Sequence, residues 1–187
     1  MLDFPYIAHH LSAAWALARR QAPALAAFTG DTAAFWMSLR MAALISAPFY
    51  IGLVATRAGN GSIGLEGAVL QTEIYLVGWL AFPLVMLHLA EVIDRREQVM
   101  RYLVASNWCA VIEHGLLGSI VVASALGLLP ESLGWLLAFG AVIWILMFQF
   151  FVARVALEVS TQVAIGVVAA RLGVDMVLNM LERSVSG

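Results

Sequence analysis

The sequence predicts an all-α fold: a polytopic membrane helix bundle of about five transmembrane helices, preceded by an amphipathic interfacial helix. Three observations carry that prediction. Hydrophobic residues make up 63% of the 187 positions and charged residues 12%, against roughly 45–50% and about 25% in soluble domains. The apolar residues gather into five runs near the ~20 residues needed to cross about 30 Å of hydrocarbon. The charges gather between those runs, most densely from Glu91 to Arg101, where Asp94, Arg95, Arg96 and Glu97 are consecutive.

Residues 1–30 form the first unit. At a helical period, Phe4, Ile7, Leu11, Trp15, Ala18, Ala22 and Leu25 fall in one sector, with His9, His10, Ser12, Arg19, Arg20 and Gln21 around the rest. An aromatic apolar stripe flanked by arginines suits a helix lying flat in the headgroups. The alternative is a helix packed on the end of the bundle. Pro23 bends or ends it, and Thr29-Gly30-Asp31-Thr32 supplies a fresh N-cap. Asp3 and Pro5 at the start, with no compact apolar core before a cleavage site, do not read as a secretory signal.

Residues 31–187 form the bundle. Helices are expected over about 33–56, 69–92, 102–126, 133–153 and 162–181. Pro48 interrupts the first and deprives the Leu44 carbonyl of its usual donor. The segment from Arg57 to Gly67, with Gly59-Asn60-Gly61, has no apolar periodicity and reads as a loop. The third run is expected at the centre, because Gly115, Ser119, Ala123 and Gly127 form a small-residue stripe for close helix approach. Ser106, Ala110, Glu113, Leu117 and Ser124 occupy a face roughly opposite. The fifth run carries Arg171, Asp175 and Asn179, so it either spans behind its neighbours or lies half out of the membrane. Arg19, Arg20, Arg40, Arg95, Arg96, Arg101 and Arg154 fall on the N-terminal side, and Arg57 and Arg183 on the other. The positive-inside rule then predicts a cytoplasmic N-terminus.

Intramembrane charge marks the candidate site. Glu113 lies ~16 Å along the third helix from its cytoplasmic end, and Arg171 ~15 Å along the fifth, at 1.5 Å per residue. At one depth, and costing at least about 2.5–3.5 kcal/mol each if unpaired, they are expected to pair, with Asp175 as a competing partner. Glu113, His114, Arg171 and Asp175 are therefore the candidate binding cluster, either a proton or anion relay or an ion pair that fixes helix neighbours. Arg40, Asn107 and Gln149, near His88, form a second polar level expected to act as interhelical glue.

Other chemistry finds no support. His88 and His114 lie at different depths, which argues against shared haem ligation. His9 and His10 point apart on a helix. No H-E-x-x-H, G-x-S-x-G, Walker or dinucleotide motif occurs. Cys109 is the one cysteine, so there is no disulfide framework or thiol metal site. No cofactor and no metal are expected. A net charge of −2, without a separate basic patch, excludes nucleic acid as an expected partner.

Ser46-Ala47-Pro48-Phe49-Tyr50, Gly78-Trp79-Leu80-Ala81-Phe82-Pro83 and Tyr102-Leu103-Val104-Ala105-Ser106-Asn107-Trp108, in that order along the chain, resemble the Yip-domain integral membrane proteins. The resemblance covers about residues 33–181. It implies a cytoplasmic N-terminal segment followed by about five closely spaced helices. Eukaryotic relatives work in vesicle traffic and bind small GTPases through an acidic segment. Residues 1–32 carry only Asp3 and Asp31 as acids, so that partner is not implied here. The arginine-only, Ala/Leu/Val-rich chain resembles the bacterial type, in the inner (cytoplasmic) membrane. The expected function is non-enzymatic, organising the lipid bilayer, other membrane proteins or copies of itself. The alternative is a small transporter or channel using the Glu113/His114/Arg171 cluster.

Overall fold

The computed structural model describes residues 4–59, 61 and 64–186, the side chains at 56, 57 and 182–186 excepted. Asp3, Asn60 and the side chains of Arg57, Glu182 and Arg183 lie outside that description. Six α-helices follow in order: α1 (Phe4–Ala18), α2 (Thr32–Gly59), α3 (Leu65–Val92), α4 (Arg96–Ala125), α5 (Glu131–Ala156) and α6 (Thr161–Ser186). A 3₁₀ segment, Ala22–Ala27, joins α1 to α2. Helices α2 to α6 are each long and apolar enough to cross a membrane. The chain is a multi-pass membrane protein with an all-α bundle. The fifth run forms one continuous helix beside α3 and α5.

Each spanning helix outruns its apolar stretch, because the hydrogen-bond ladder continues where hydrocarbon ends. The clearest case is the turn expected from Glu91 to Arg101. Its non-helical part is only Ile93–Arg95, and Glu97 and Arg101 belong to the first turns of α4. The tight stop is a Schellman turn: Asp94 takes a left-handed φ of 55°, and the Arg95 amide donates to the Ala90 carbonyl at 2.8 Å. Gly127 (φ 71°) ends α4 in the same way, with Leu128 donating to Ala123 at 2.9 Å. Asp31 caps α2 by accepting from the Ala34 amide at 2.8 Å. That bond holds its carboxyl below the usual range.

Helix α4 is the axis. α2, α3 and α5 pack along it, and α6 closes the ring by packing on α3 and α5. From Tyr102 to Val111 every residue of α4 is buried, Cys109 among them. The closest approach of α2 uses Gly115 and Gly118: a Cβ at Gly118 would stand 2.8 Å from Phe49 Cβ. Ser119, expected on this contact face, is exposed. Phe49 of α2 thus meets α4 at Gly115 and Gly118 rather than along the expected Gly115/Ser119/Ala123/Gly127 row.

Helix α1 lies across α4 and α5 at one end of the bundle, called proximal below. His10 stacks on Trp108 of α4 with ring centroids 5.2 Å apart, and Arg20 sits over the Phe151 ring of α5 at 5.2 Å. Ala13, Ala14, Leu17 and Ala18 fill the contact, while Phe4 and Trp15 stay exposed. Part of the expected apolar stripe therefore faces outward, and His10, expected on the polar side, is buried against the bundle. The small Ala13 and Ala14 permit the close approach that Trp15 would block. Burial pushes the His10 imidazole below its ordinary range. The helix stops at Arg20 (φ 65°), three residues before Pro23. Gly30 then passes over α4, where an added Cβ would lie 3.2 Å from the Arg101 amide nitrogen.

Candidate functional site

The register of α4 against α6 is set at the proximal end, where Arg101 and Glu158 pair at 3.2 Å. Glu113 is twelve residues beyond Arg101, ~18 Å along α4, and Arg171 is ten residues beyond Thr161, ~15 Å along α6, which starts just after Glu158. Equal depth brings the two side chains together. Arg171 Nη2 lies 3.3 Å from Glu113 Oε2, and their side chains are 16% and 6% exposed. The other guanidinium arm donates to Ser106 Oγ at 2.9 Å. The cation stands over the Phe82 ring at 5.2 Å, and Gln149 Nε2 donates to the same Glu113 oxygen at 3.0 Å. Three helices meet at one carboxylate. The void beside it, lined by Tyr102, Ser106, Cys109 and Val152, measures about 10 Å³, the lower limit for a single water.

The four residues of the expected cluster do not form one group. Glu113 and Arg171 pair; the carboxylate is buried, while the guanidinium also borders a cavity. His114, the next residue of α4, points away from that pair, and its ring meets Trp79 of α3 edge-on at 5.4 Å. Asp175, one turn beyond Arg171, lies outside the pair. Its backbone carbonyl accepts from Asn179 at 2.7 Å. Asp175 and His114 lie deep along their helices yet are exposed, because both line a cavity of about 170 Å³ between α3, α4 and α6. Trp79, Tyr75 and Phe82 form its aromatic wall, and Arg171 reaches it from the other side. A second, more apolar cavity of about 200 Å³ lies between α2, α3 and α4, sharing Tyr75 and His114 with the first.

The second polar level does not hold together. Asn107 Nδ2 donates to Ser38 Oγ of α2 at 3.0 Å, as interhelical glue. Gln149 belongs instead to the midplane, its length carrying its amide to Glu113. Arg40 is exposed on the outer face of α2 and donates to its own helix at the Trp36 carbonyl, 3.1 Å away. His88 is likewise exposed and contacts the Leu84 carbonyl at 2.9 Å. Equal depth was the right criterion for Glu113 and Arg171, but depth alone does not say which way a side chain faces.

Ser106, read from the sequence as sharing a face with Glu113, takes part through its bond to Arg171, but other members of the site were not singled out. Phe82, Trp79 and Tyr75 come from α3, and no local pattern announces that their rings turn towards α4 and α6. Among the described residues, no group of three His, Cys, Asp or Glu side chains gathers to hold a metal. Comparison with family models, with curated proteins and with solved structures finds no match for this chain.

Proposed function

We propose that the chain is a non-enzymatic membrane-organising protein of Yip-domain type, in a bacterial inner membrane with its N-terminus cytoplasmic. The observation that carries this reading is the Glu113–Arg171–Gln149 junction, its carboxylate buried. A carboxylate with its cation and amide in place, beside a void at the limit for one water, suits a lock between helices better than a relay. Orientation rests on arginine placement: Arg19, Arg20, Arg95, Arg96, Arg101 and Arg154 all lie at or near the proximal end, where the positive-inside rule favours cytoplasm. α1 lies across α4 and α5 at that end with Phe4 and Trp15 outward, the disposition of an interfacial platform.

Purification in mild detergent, followed by light scattering, tests the organising role. A recurrent stoichiometric partner or a defined oligomer is expected, and a clean monomer under crosslinking overturns it. Reagent accessibility of a tag before Phe4 tests orientation, and labelling from the periplasmic side refutes it. A small-transporter reading draws support from the cavity at Asp175 and His114. It needs no proton path through Glu113, so proton flux in proteoliposomes should not change in Glu113→Gln.

A further inference from the structure

We infer that the cavity between α3, α4 and α6 is a binding site for a small organic monocation of the alkylammonium class, taken up in exchange for a proton. The inference goes beyond the organising role and does not depend on it.

Charge comes first. Asp175 is fourteen residues into α6 and six before its apolar span ends at Leu181, ~9 Å inside the hydrocarbon layer from its far face. Lipid cannot solvate a carboxylate there, so such a group pairs or faces a polar cavity. Arg171, one turn back, is already held by Glu113 and Ser106. Two acids against one arginine leave the cluster one negative charge in excess when His114 is neutral. One proton, or one cation, restores neutrality.

The walls decide which cation. Trp79 and Tyr75 meet edge-on at 6.1 Å and line the cavity beside Asp175 and His114. The Tyr75 hydroxyl is fixed by its bond to the Ala43 carbonyl at 2.6 Å. Tyr75 also stacks on Tyr50 and Phe82 already lies under Arg171; a further ring beside a carboxylate, as Trp79 is here, attracts a weakly hydrated organic cation through its quadrupole. A hard metal ion needs six or more oxygen ligands, or several waters, and the carboxylate here stands among rings. An anion would meet the excess negative charge. About 170 Å³ admits a ligand of a few heavy atoms, below the usual 300–1,000 Å³ of drug-sized pockets.

The groups facing the site from every side are His114 and Asn107 of α4, Tyr75 of α3, and Arg171 and Asp175 of α6, with Glu113 sealed behind Arg171. Uptake of the cation releases the proton held on Asp175 to water, and no bond is made or broken otherwise.

The test is equilibrium binding of radiolabelled tetramethylammonium to the full chain in lipid nanodiscs. Saturable binding is expected, tightening as pH rises because cation and proton compete. Asp175→Asn should weaken binding about ten-fold or more and flatten the pH profile. Trp79→Leu should weaken it roughly 2- to 30-fold and leave the pH profile in place. Asp175 takes no part in the Glu113–Arg171 pair, and an unchanged unfolding midpoint in Asp175→Asn establishes that the variant is folded. Non-saturable binding overturns the proposal, as does parent-like affinity in folded Asp175→Asn. Equal displacement of the label by sodium also overturns it, because the site then does not select an organic cation.

Discussion

The two halves of α4 live in different surroundings. In the proximal half, Tyr102 to Val111 are all buried. In the distal half, from Ile112 to Ala125, Glu113 alone is. The proximal half is enclosed by α2, α5 and α1, with Trp108, Phe148, Met86 and Leu103 fully buried. The distal half leaves Trp135, Leu136 and Phe139 of its neighbour α5 to the lipid. Lipid tails are as apolar as leucine, so burial inside the bilayer gains packing and hydrogen bonds rather than escape from water. The comparison teaches that this bundle is enclosed on all sides at one end, locked at its middle by one ion pair, and held at its far end by the approach of α2 at Gly115 and Gly118, with the rest open to lipid.

The sharpest way to break that division is at the boundary itself. Glu113→Ala strands Arg171 and should destabilise the protein by about 3–5 kcal/mol, read as a lower unfolding midpoint in detergent. Glu113→Gln keeps an acceptor for Arg171 and should lose less. If Glu113→Ala unfolds like the parent, the pair does not hold the middle of the bundle.

Next, matched tryptophans compare the halves. Trp108→Ala should lose the cavity part of the ~3–5 kcal/mol seen for large-to-small core changes, the transfer part being small in lipid. Trp135→Ala, at a site 73% exposed, should stay within about 0.5 kcal/mol. Equal losses would erase the distinction.

A glycine pair separates the side of the distal half that α2 contacts from the side that lipid covers. At Gly118 the added Cβ meets Phe49, and alanine should cost about 1–3 kcal/mol. Gly140 has nothing within 4 Å of such a Cβ, and alanine there should gain up to about 1 kcal/mol from helix propensity. Unfolding midpoints of the two variants should move in opposite directions.

The smallest effect concerns pH at the proximal end. Burial lowers the His10 pKa below its unfolded value near 6.5. Between the two values the unfolded chain binds more protons, so docking of α1 is complete above about pH 6.5 and weakens as pH falls below it. Hydrogen-exchange protection over residues 4–28, taken relative to the intrinsic rate at each pH, should fall on acidification in the parent and respond less in His10→Phe. An identical response in both would remove His10 from the account.

The five spans were legible because length and apolarity are one-dimensional properties, and lipid enforces them. The Glu113–Arg171 contact was legible for the same reason: depth is counted in residues. What the sequence withheld is angular. Arg40 and Ser38 are two residues apart in α2, and only Ser38 faces Asn107. His10 rather than Trp15 meets the bundle because two alanines beside it let α1 approach. The direction that α3 turns its rings, and so the cavity at Asp175, depends on packing between segments far apart in the chain.

Cys109 sits in the enclosed stretch of α4, 2% exposed and beside the void at Glu113. A lone thiol so placed makes the folded protein inert to alkylating reagents without any engineering. Its rate of modification is thus a built-in clock for how often the centre of the bundle breathes open. Cysteines placed elsewhere for labelling would stand out against a silent background.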